Sequence, residues 1–196
     1  MKNALQDIEQ VLDFIVEIEK LKAVNRKTKP VGLDRYENSA EHSWHVCLSA
    51  LMLKDYANEA IDINRVIKML LIHDLGEIDA GDTIIYASET AEIKAEELAG
   101  VKRLLAFLPD GKADEYLLLW NEFEAGESAE SKFAKAIDRV PPLLHNLHSE
   151  GYSWKKNKVS SDMVFAVNSR INDGSQDLWK VISSKLEDAV SKGFLK

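Results

Sequence analysis

VIKMLLIHDLGE, residues 66–77, is an apolar segment with helical spacing that ends in a histidine, an aspartate and a nearby glutamate. Imidazole nitrogen and carboxylate oxygen are both ligands for divalent metals. Neighbouring side chains on a helix diverge by about 100°, so His73 and Asp74 can converge on one ion only where the helix is distorted or ends. Gly76 weakens the helix there, and Glu77 lies one turn after Asp74 on the same face. Because His-Asp pairs are common by chance, this segment alone is weak evidence for a metal site.

The composition is that of one globular domain. The chain has 196 residues, of which 45% are hydrophobic and 30% charged. It contains no apolar run of about 18 residues, which predicts no membrane span. Residues 1–22 are amphipathic and carry acids, unlike a signal peptide. The single cysteine, Cys47, excludes an internal disulfide and is expected to be a buried thiol. We therefore expect a cytoplasmic protein.

The charge distribution is uneven. The net charge of −8 argues against a partner that is a nucleic-acid polymer. Residues 20–35, however, hold six basic side chains and one acid, Asp34. A positive segment on an acidic protein can attract a small phosphorylated ligand, although a solvated basic loop would look the same.

Apolar residues recur at spacings of three and four along almost the whole chain, which predicts an all-α fold of about seven or eight helices. The predicted helices are 4–22, 40–56, 63–74, 88–108, 113–124, one from 128 onward, 161–172 and 177–192. Residues 75–87 and 151–159 are predicted to be loops. Leu5, Ile8 and Leu12 are expected on the buried side of the first helix. Pro141 and Pro142 predict a bend just after Asp138.

The same pattern predicts one domain over residues 1–196. Its metal-binding core is expected at about residues 20–150, with the helices of residues 160–192 packed on it. Neither a repeat nor a low-complexity linker interrupts the chain.

Four potential metal ligands come from three predicted helices: His42, His73, Asp74 and Asp138. Helical bundles build metal sites in this way, with side chains that project inward from facing helices. Each residue also has a plain alternative. The histidines could be core residues, and Asp138 could pair with a neighbouring lysine or arginine.

The order of these ligands along the chain is a histidine, then a His-Asp pair, then an aspartate. In this order the sequence resembles the HD-domain phosphohydrolases, and most closely their 5'-deoxynucleotidases and eukaryotic HD-domain-containing relatives. The resemblance lies in Leu21–Arg26, Glu41–Ser43, His73–Glu77, Gly81-Asp82 and Asp138-Arg139. It implies that His42, His73, Asp74 and Asp138 hold one divalent metal ion: manganese, cobalt, iron, zinc or magnesium. It also implies a homodimer, since the relatives are often dimers.

The resemblance further implies that Glu77 assists the attacking water or the leaving oxygen, that Asp82 aids the nucleophile, and that Arg26 binds the substrate phosphate. Guanidinium suits that role because it binds phosphate oxygens bidentately and stays charged. Where the family often has an aromatic residue after the arginine, this chain has Lys27, so the base and sugar preference stays open. His45 matches no ligand position.

These implications predict a phosphomonoesterase that acts on a small nucleotide, a (deoxy)ribonucleoside 5'-monophosphate. Three alternatives remain. The first is a hydrolase of a nucleoside di- or triphosphate or of a signalling nucleotide. The second is a di-iron oxygenase, which would recruit additional histidines such as His45, His145 and His148. The third is a non-catalytic nucleotide-binding module. A fourth outcome is that the three helices never meet and the acids are surface charge.

Overall fold

The computed structural model describes residues 4–87, 90–109 and 111–196, and in these ranges it contains helices and no strand. The helices are α1 (Ala4–Glu17), α2 (Ser39–Leu53), α3 (Ile63–Ile72), α4 (Glu77–Ala80), α5 (Ala91–Leu105), α6 (Lys112–Ala125), α7 (Ala129–Asp138), α8 (Val140–His148), α9 (Tyr152–Lys156), α10 (Ser161–Asn168), α11 (Ile171–Gly174) and α12 (Gln176–Ser191). Two 3₁₀ segments, Ile18–Ala23 and Lys54–Tyr56, follow α1 and α2. The predicted all-α fold is confirmed.

Local sequence explains where the helices that build the site begin. Asn38 and Glu41 form a reciprocal capping box at the start of α2, and the Asp62 side chain accepts a hydrogen bond from Asn64 N at the start of α3. The bend predicted after Asp138 is confirmed, because α7 ends there and α8 begins at Val140. The prolines lie in the first turn of α8, where a missing N–H leaves no helical bond unmade.

Four local predictions were wrong. The helix expected at residues 161–172 is two helices, α10 and α11. The segments expected to be loops contain the short helices α4 and α9. The helix expected from residue 88 begins at Ala91, because the Thr90 side chain caps it, and residues 88–89 lie outside the described ranges. Leu5, Ile8 and Leu12 are 73%, 55% and 55% exposed instead of buried. Apolar spacing shows which residues share a face, but not whether another element covers that face.

Helix α7 lies at the centre of the molecule and packs against α2, α3, α6, α8 and α11. Its contact with α11 is especially close, since a methyl group on Gly174 would collide with the Lys132 carbonyl. One apolar cluster contains residues of α2, α3, α6 and α7, and a second contains residues of α8, α9, α10, α11 and α12. No helix within the described ranges is both long and apolar enough to cross a bilayer. The packing of α2, α3 and α7 brings their polar residues to one place.

Candidate metal centre

The backbone tightens at the end of α3, and this allows the adjacent side chains of His73 and Asp74 to converge. Past Ile72 the backbone bonds at a spacing of three residues: Leu75 N donates to Ile72 O and Glu77 N donates to Asp74 O, at 3.1 and 3.0 Å. This tighter turn replaces the α-helical pattern. As a result the two neighbouring side chains converge, with His73 Nε2 3.1 Å from Asp74 Oδ1.

Two further helices add their side chains at the same point. Asp138, the last residue of α7, places Oδ1 2.8 Å from His42 Nε2 and 3.3 Å from His73 Nε2. The structure thus brings the ligand atoms of His42, His73 and Asp138 within 4.8 Å of one another, with Asp74 beside His73, and we call these four residues the Asp138 cluster. The alternative in which the three helices never meet is wrong. Their role as metal ligands stays a prediction.

The donor set fits a divalent cation. His73 Nδ1 lies 2.8 Å from the Leu70 carbonyl and must donate to it, so the Nε2 lone pair faces Asp74 and Asp138. That buried nitrogen has no hydrogen-bond partner. A metal-binding histidine has this arrangement, with the proton fixed on the outer nitrogen. Two imidazoles and two carboxylates suit a first-row divalent metal.

The electrostatics of the Asp138 cluster favour positive charge. Burial alone would lower the pKa of His73, but the carboxylates of Asp74 and Asp138 raise it to about 9. Burial also favours the neutral form of Asp138, yet the imidazoles of His42 and His73 hold the pKa of that carboxyl well below its ordinary value. A proton or a cation at His73 Nε2 is therefore stabilised.

Arg26 lies beside the cluster because an extended segment holds it there. Arg26 N donates to Glu37 O at 2.9 Å, next to the bridge between Asn25 and Asn38. The guanidinium Nη1 lies 2.9 Å from Asp74 Oδ2. Burial opposes protonation of Arg26, but the surrounding carboxylates outweigh it and raise the pKa of the guanidinium.

The two predicted catalytic acids also lie around Arg26. Its Nη1 is 3.6 Å from Asp82 Oδ1 and 3.8 Å from Glu77 Oε1. Ser39 Oγ donates to Glu77 Oε2 at 2.6 Å. Burial, together with the charge of Asp74, raises the pKa of Glu77 to about 9, and burial also raises the pKa of Asp82. Without a bound cation this raised pKa would leave Glu77 protonated at neutral pH, and a cation in the Asp138 cluster would oppose the rise.

A cavity of about 580 Å³ opens over these groups. Its polar lining includes Arg26, Lys27, His73, Asp74, Glu77, Asp82, Tyr86, Glu97, Glu124, Lys135, Asp138, Arg139 and Arg170. This volume lies within the range of small-molecule sites. Lys135 and Arg139 are the basic neighbours with which Asp138 could have paired, and both line the cavity. Among the described residues, Asp138 pairs instead with His42 and His73.

Glu37 is a site residue that the sequence did not indicate. It is 2% exposed, and its Oε2 lies 3.6 Å from His42 Nδ1 and 3.7 Å from Arg26 Nε. A carboxylate behind a histidine orients that histidine in many metal sites. Glu37 stands in a non-helical segment before the α2 cap, so no periodic pattern marks it as buried.

The additional histidines do not extend the Asp138 cluster. His45 and His145 group with Glu37, and His148 is exposed. The structure therefore offers no support for enlarging the Asp138 cluster into a di-iron centre with these three residues.

Known proteins resemble this chain over most of its length. The model of the HD domain family matches residues 18–179. The 5'-deoxynucleotidase HDDC2 of Homo sapiens is 26% identical over 129 residues, 65% of this chain and only 62% of that protein. HDDC2 of Danio rerio is 24% identical over 159 residues, 80% of this chain and 78% of that protein.

Solved structures give a closer match. A predicted metal-dependent phosphohydrolase from Magnetospirillum magnetotacticum is 43% identical with a TM-score of 0.91, covering 97% of this chain and 98% of that one. The PH0347 protein of Pyrococcus horikoshii shares the fold, with a TM-score of 0.65 and 21% identity over 90% of this chain and 98% of that one. Taken with the geometry of the Asp138 cluster, these matches show that the chain belongs to the HD domain family.

Proposed function

We propose that this protein is a metal-dependent phosphomonoesterase that releases phosphate from nucleoside 5'-monophosphates, with deoxyribonucleotides preferred. One observation carries the proposal: the ligand atoms of His42, His73 and Asp138 lie within 4.8 Å of one another, with Asp74 beside His73, next to a cavity that Arg26 lines. The names of the HDDC2 relatives support the substrate class.

The Asp138 cluster would hold one divalent ion through its two imidazoles and two carboxylates. Manganese, cobalt, iron and zinc suit such mixed ligation, and magnesium suits its oxygens. When bound, such an ion lowers the pKa of a coordinated water from 15.7 towards about 7 and polarises the phosphoryl group.

The remaining roles belong to the chain's own side chains. Arg26 binds and orients the phosphate, since its guanidinium presents paired donors that match phosphate oxygens. Glu77 holds a proton for the leaving 5'-oxygen, or positions the attacking water, from its place between Ser39 and Arg26. Asp82 accepts a hydrogen bond from the nucleophile or orients Arg26, whose Nη1 lies 3.6 Å away.

A second candidate substrate class is favoured by one feature of the cavity. Lys135, Arg139 and Arg170 line it in addition to Arg26, and although acids such as Glu97 and Glu124 lie among them, these cations would give a second phosphate polar contacts. A nucleoside di- or triphosphate, or a signalling nucleotide, would use that charge. The substrates that are turned over, together with the released product, separate the two classes.

A phosphate-release screen tests the proposal. Metal-free protein would be supplied with each of the five metals in turn and assayed against all ribo- and deoxyribonucleoside mono-, di- and triphosphates. We expect orthophosphate from the monophosphates, with the deoxy forms turned over faster, and no turnover in chelator. Pyrophosphate or triphosphate as the product would favour the second class. A protein that binds metal and nucleotide but hydrolyses none of these compounds would be the non-catalytic module.

We expect Arg26→Lys to lower kcat/KM for the preferred nucleotide by about 10- to 100-fold, the equivalent of a lost charge-assisted hydrogen bond. Lysine keeps the positive charge beside Asp74 but cannot bind phosphate bidentately. Steady-state kinetics would measure the loss. Lys22→Ala is the matched control, because Lys22 is an exposed cation of the same basic segment, paired with Glu19. Equal kinetics in wild type and Arg26→Lys would remove Arg26 from phosphate binding.

We also propose a cytoplasmic homodimer that binds no nucleic-acid polymer. Exposed apolar side chains on α1, among them Leu5 and Val16 at 73% and 69%, support an association surface. The net charge of −8 supports the absence of a nucleic-acid partner, and the lone free thiol of Cys47 supports a reducing compartment. Sedimentation equilibrium at micromolar concentration distinguishes the dimer from a monomer.

A further inference from the structure

We propose that Glu37, His45 and His145 form a second cation site, separate from the Asp138 cluster, for a divalent first-row transition metal. We call these three residues the Glu37 cluster. Each offers one ligand atom, and the three atoms all lie within 4.8 Å of one another. Glu37 precedes α2, His45 lies on α2, and His145 lies on α8. This inference does not depend on the proposed phosphatase activity.

The spacing is close to that of a formed site. His145 Nε2 lies 3.8 Å from Glu37 Oε1, and the rings of His45 and His145 have centroids 6.0 Å apart. Ligands bound at about 2.0 to 2.2 Å in a tetrahedron are separated by roughly 3.4 Å. Small side-chain rotations would therefore bring all three atoms into coordination distance. Two imidazoles and one carboxylate are a known three-ligand zinc set, which leaves one position open.

The outer contacts orient the ligands inward. His145 Nδ1 lies 3.2 Å from Thr28 Oγ1, so Nε2 is the nitrogen turned towards Glu37. Fixing one ring nitrogen on a hydroxyl or carbonyl partner is what holds metal-binding histidines in place. The two carboxylate oxygens of Glu37 face different neighbours: Oε1 faces His145, and Oε2 faces His42 and Arg26.

Glu37 provides the second, independent observation. Its side chain is 2% exposed, and its Oε2 has no hydrogen-bond partner. The nearest cationic atoms, Arg26 Nε and His42 Nδ1, lie at 3.7 and 3.6 Å, beyond hydrogen-bond distance. The other oxygen of Glu37, Oε1, faces His145 across the proposed site.

The two clusters meet at Glu37. Because its other oxygen faces His42 Nδ1, an ion in the Glu37 cluster would fix the carboxylate that stands behind a predicted ligand of the first ion. Occupancy of the second site would then tighten the first, by roughly the 10- to 100-fold that such outer contacts contribute to metal affinity. His45 is only half-buried and gives an ion access from the surface.

Metal stoichiometry tests the proposal. Metal-free protein would be dialysed against a small excess of zinc, and bound zinc per chain measured by plasma mass spectrometry. We expect about two ions in wild type and about one in His45→Gln, a half-buried position where glutamine is easily accommodated. His148→Gln is the matched control, because that histidine is exposed on α8 outside the cluster. It should keep the wild-type count.

Anomalous diffraction at the zinc edge adds a measurement that needs no variant. We expect a peak between Glu37, His45 and His145 in crystals of the zinc-equilibrated wild type. Three results would overturn the site: one ion per chain in wild type that His73→Ala loses, a His45→Gln variant that keeps the wild-type count, or a zinc-equilibrated crystal with no peak there. His73→Ala distinguishes failure of the Glu37 cluster from failure of the Asp138 cluster. This variant should lose the ion of the Asp138 cluster and keep the ion of the Glu37 cluster.

Discussion

Asp74→Ala is expected to lose the ion of the Asp138 cluster and, with it, essentially all turnover. Asp74 contributes one of two carboxylates to the cluster, with Oδ1 3.1 Å from His73 Nε2, and its other oxygen accepts from Arg26 at 2.9 Å. Removing a direct ligand should weaken metal binding by more than the roughly 100-fold that outer contacts can cost. His73→Ala should behave in the same way, because it removes the nitrogen on which both carboxylates converge.

The measurement is cleanest in the His45→Gln background, where the second proposed site is disabled. There, bound metal should fall from about one ion per chain to almost none when Asp74 is replaced. Asp55→Ala serves as the control, since that acid is exposed in the 3₁₀ segment after α2 and contributes nothing to the cluster. Circular dichroism would check that the variants remain helical. Stoichiometric metal in folded Asp74→Ala would exclude Asp74 as a ligand.

The second large effect is expected from Glu77→Ala, which should keep its metal and lose turnover by about 10²- to 10⁴-fold, the usual contribution of a general acid or base. Glu77 lies at the start of α4, held by Ser39 and near Arg26. Burial and Asp74 raise the pKa of this carboxyl to about 9, although a bound cation would oppose that rise.

Two companion variants make the result for Glu77 specific. Glu77→Gln keeps the shape and can still accept the Ser39 hydrogen bond but has no acidic proton, so its activity should resemble that of alanine. Asp79→Asn changes an acid on the same short helix that pairs with Arg103 on the surface, so its turnover should match wild type. Normal phosphomonoester turnover by Glu77→Ala would show that its role here is wrong.

Sequence reasoning was accurate where the information is local or periodic. Apolar spacing predicted the helices, the prolines predicted the bend after Asp138, and the order of histidines and acids indicated which side chains would meet. Helix geometry predicted that His73 and Asp74 could converge only where the helix is distorted, and the tightened turn after Ile72 is that distortion.

What the sequence could not show depends on tertiary pairing. Glu37 is buried because the segment around Arg26 pairs with the segment before α2, and nothing in its immediate sequence reveals that pairing. The face of α1 that carries Leu5 and Ile8 has the pattern of a buried face but remains exposed. The helices α4 and α9 have four and five residues, too few to show a period.

The close contact between α11 and α7 has a practical consequence for anyone shortening this chain. Ile171 is fully buried, and Gly174 lies directly against the Lys132 carbonyl, on the helix whose final residue is Asp138. A fragment ended at residue 150 would retain every predicted ligand but leave one flank of that helix open to solvent. Truncations intended as a minimal enzyme should therefore extend beyond residue 174, even though no predicted metal ligand or catalytic acid lies after residue 150.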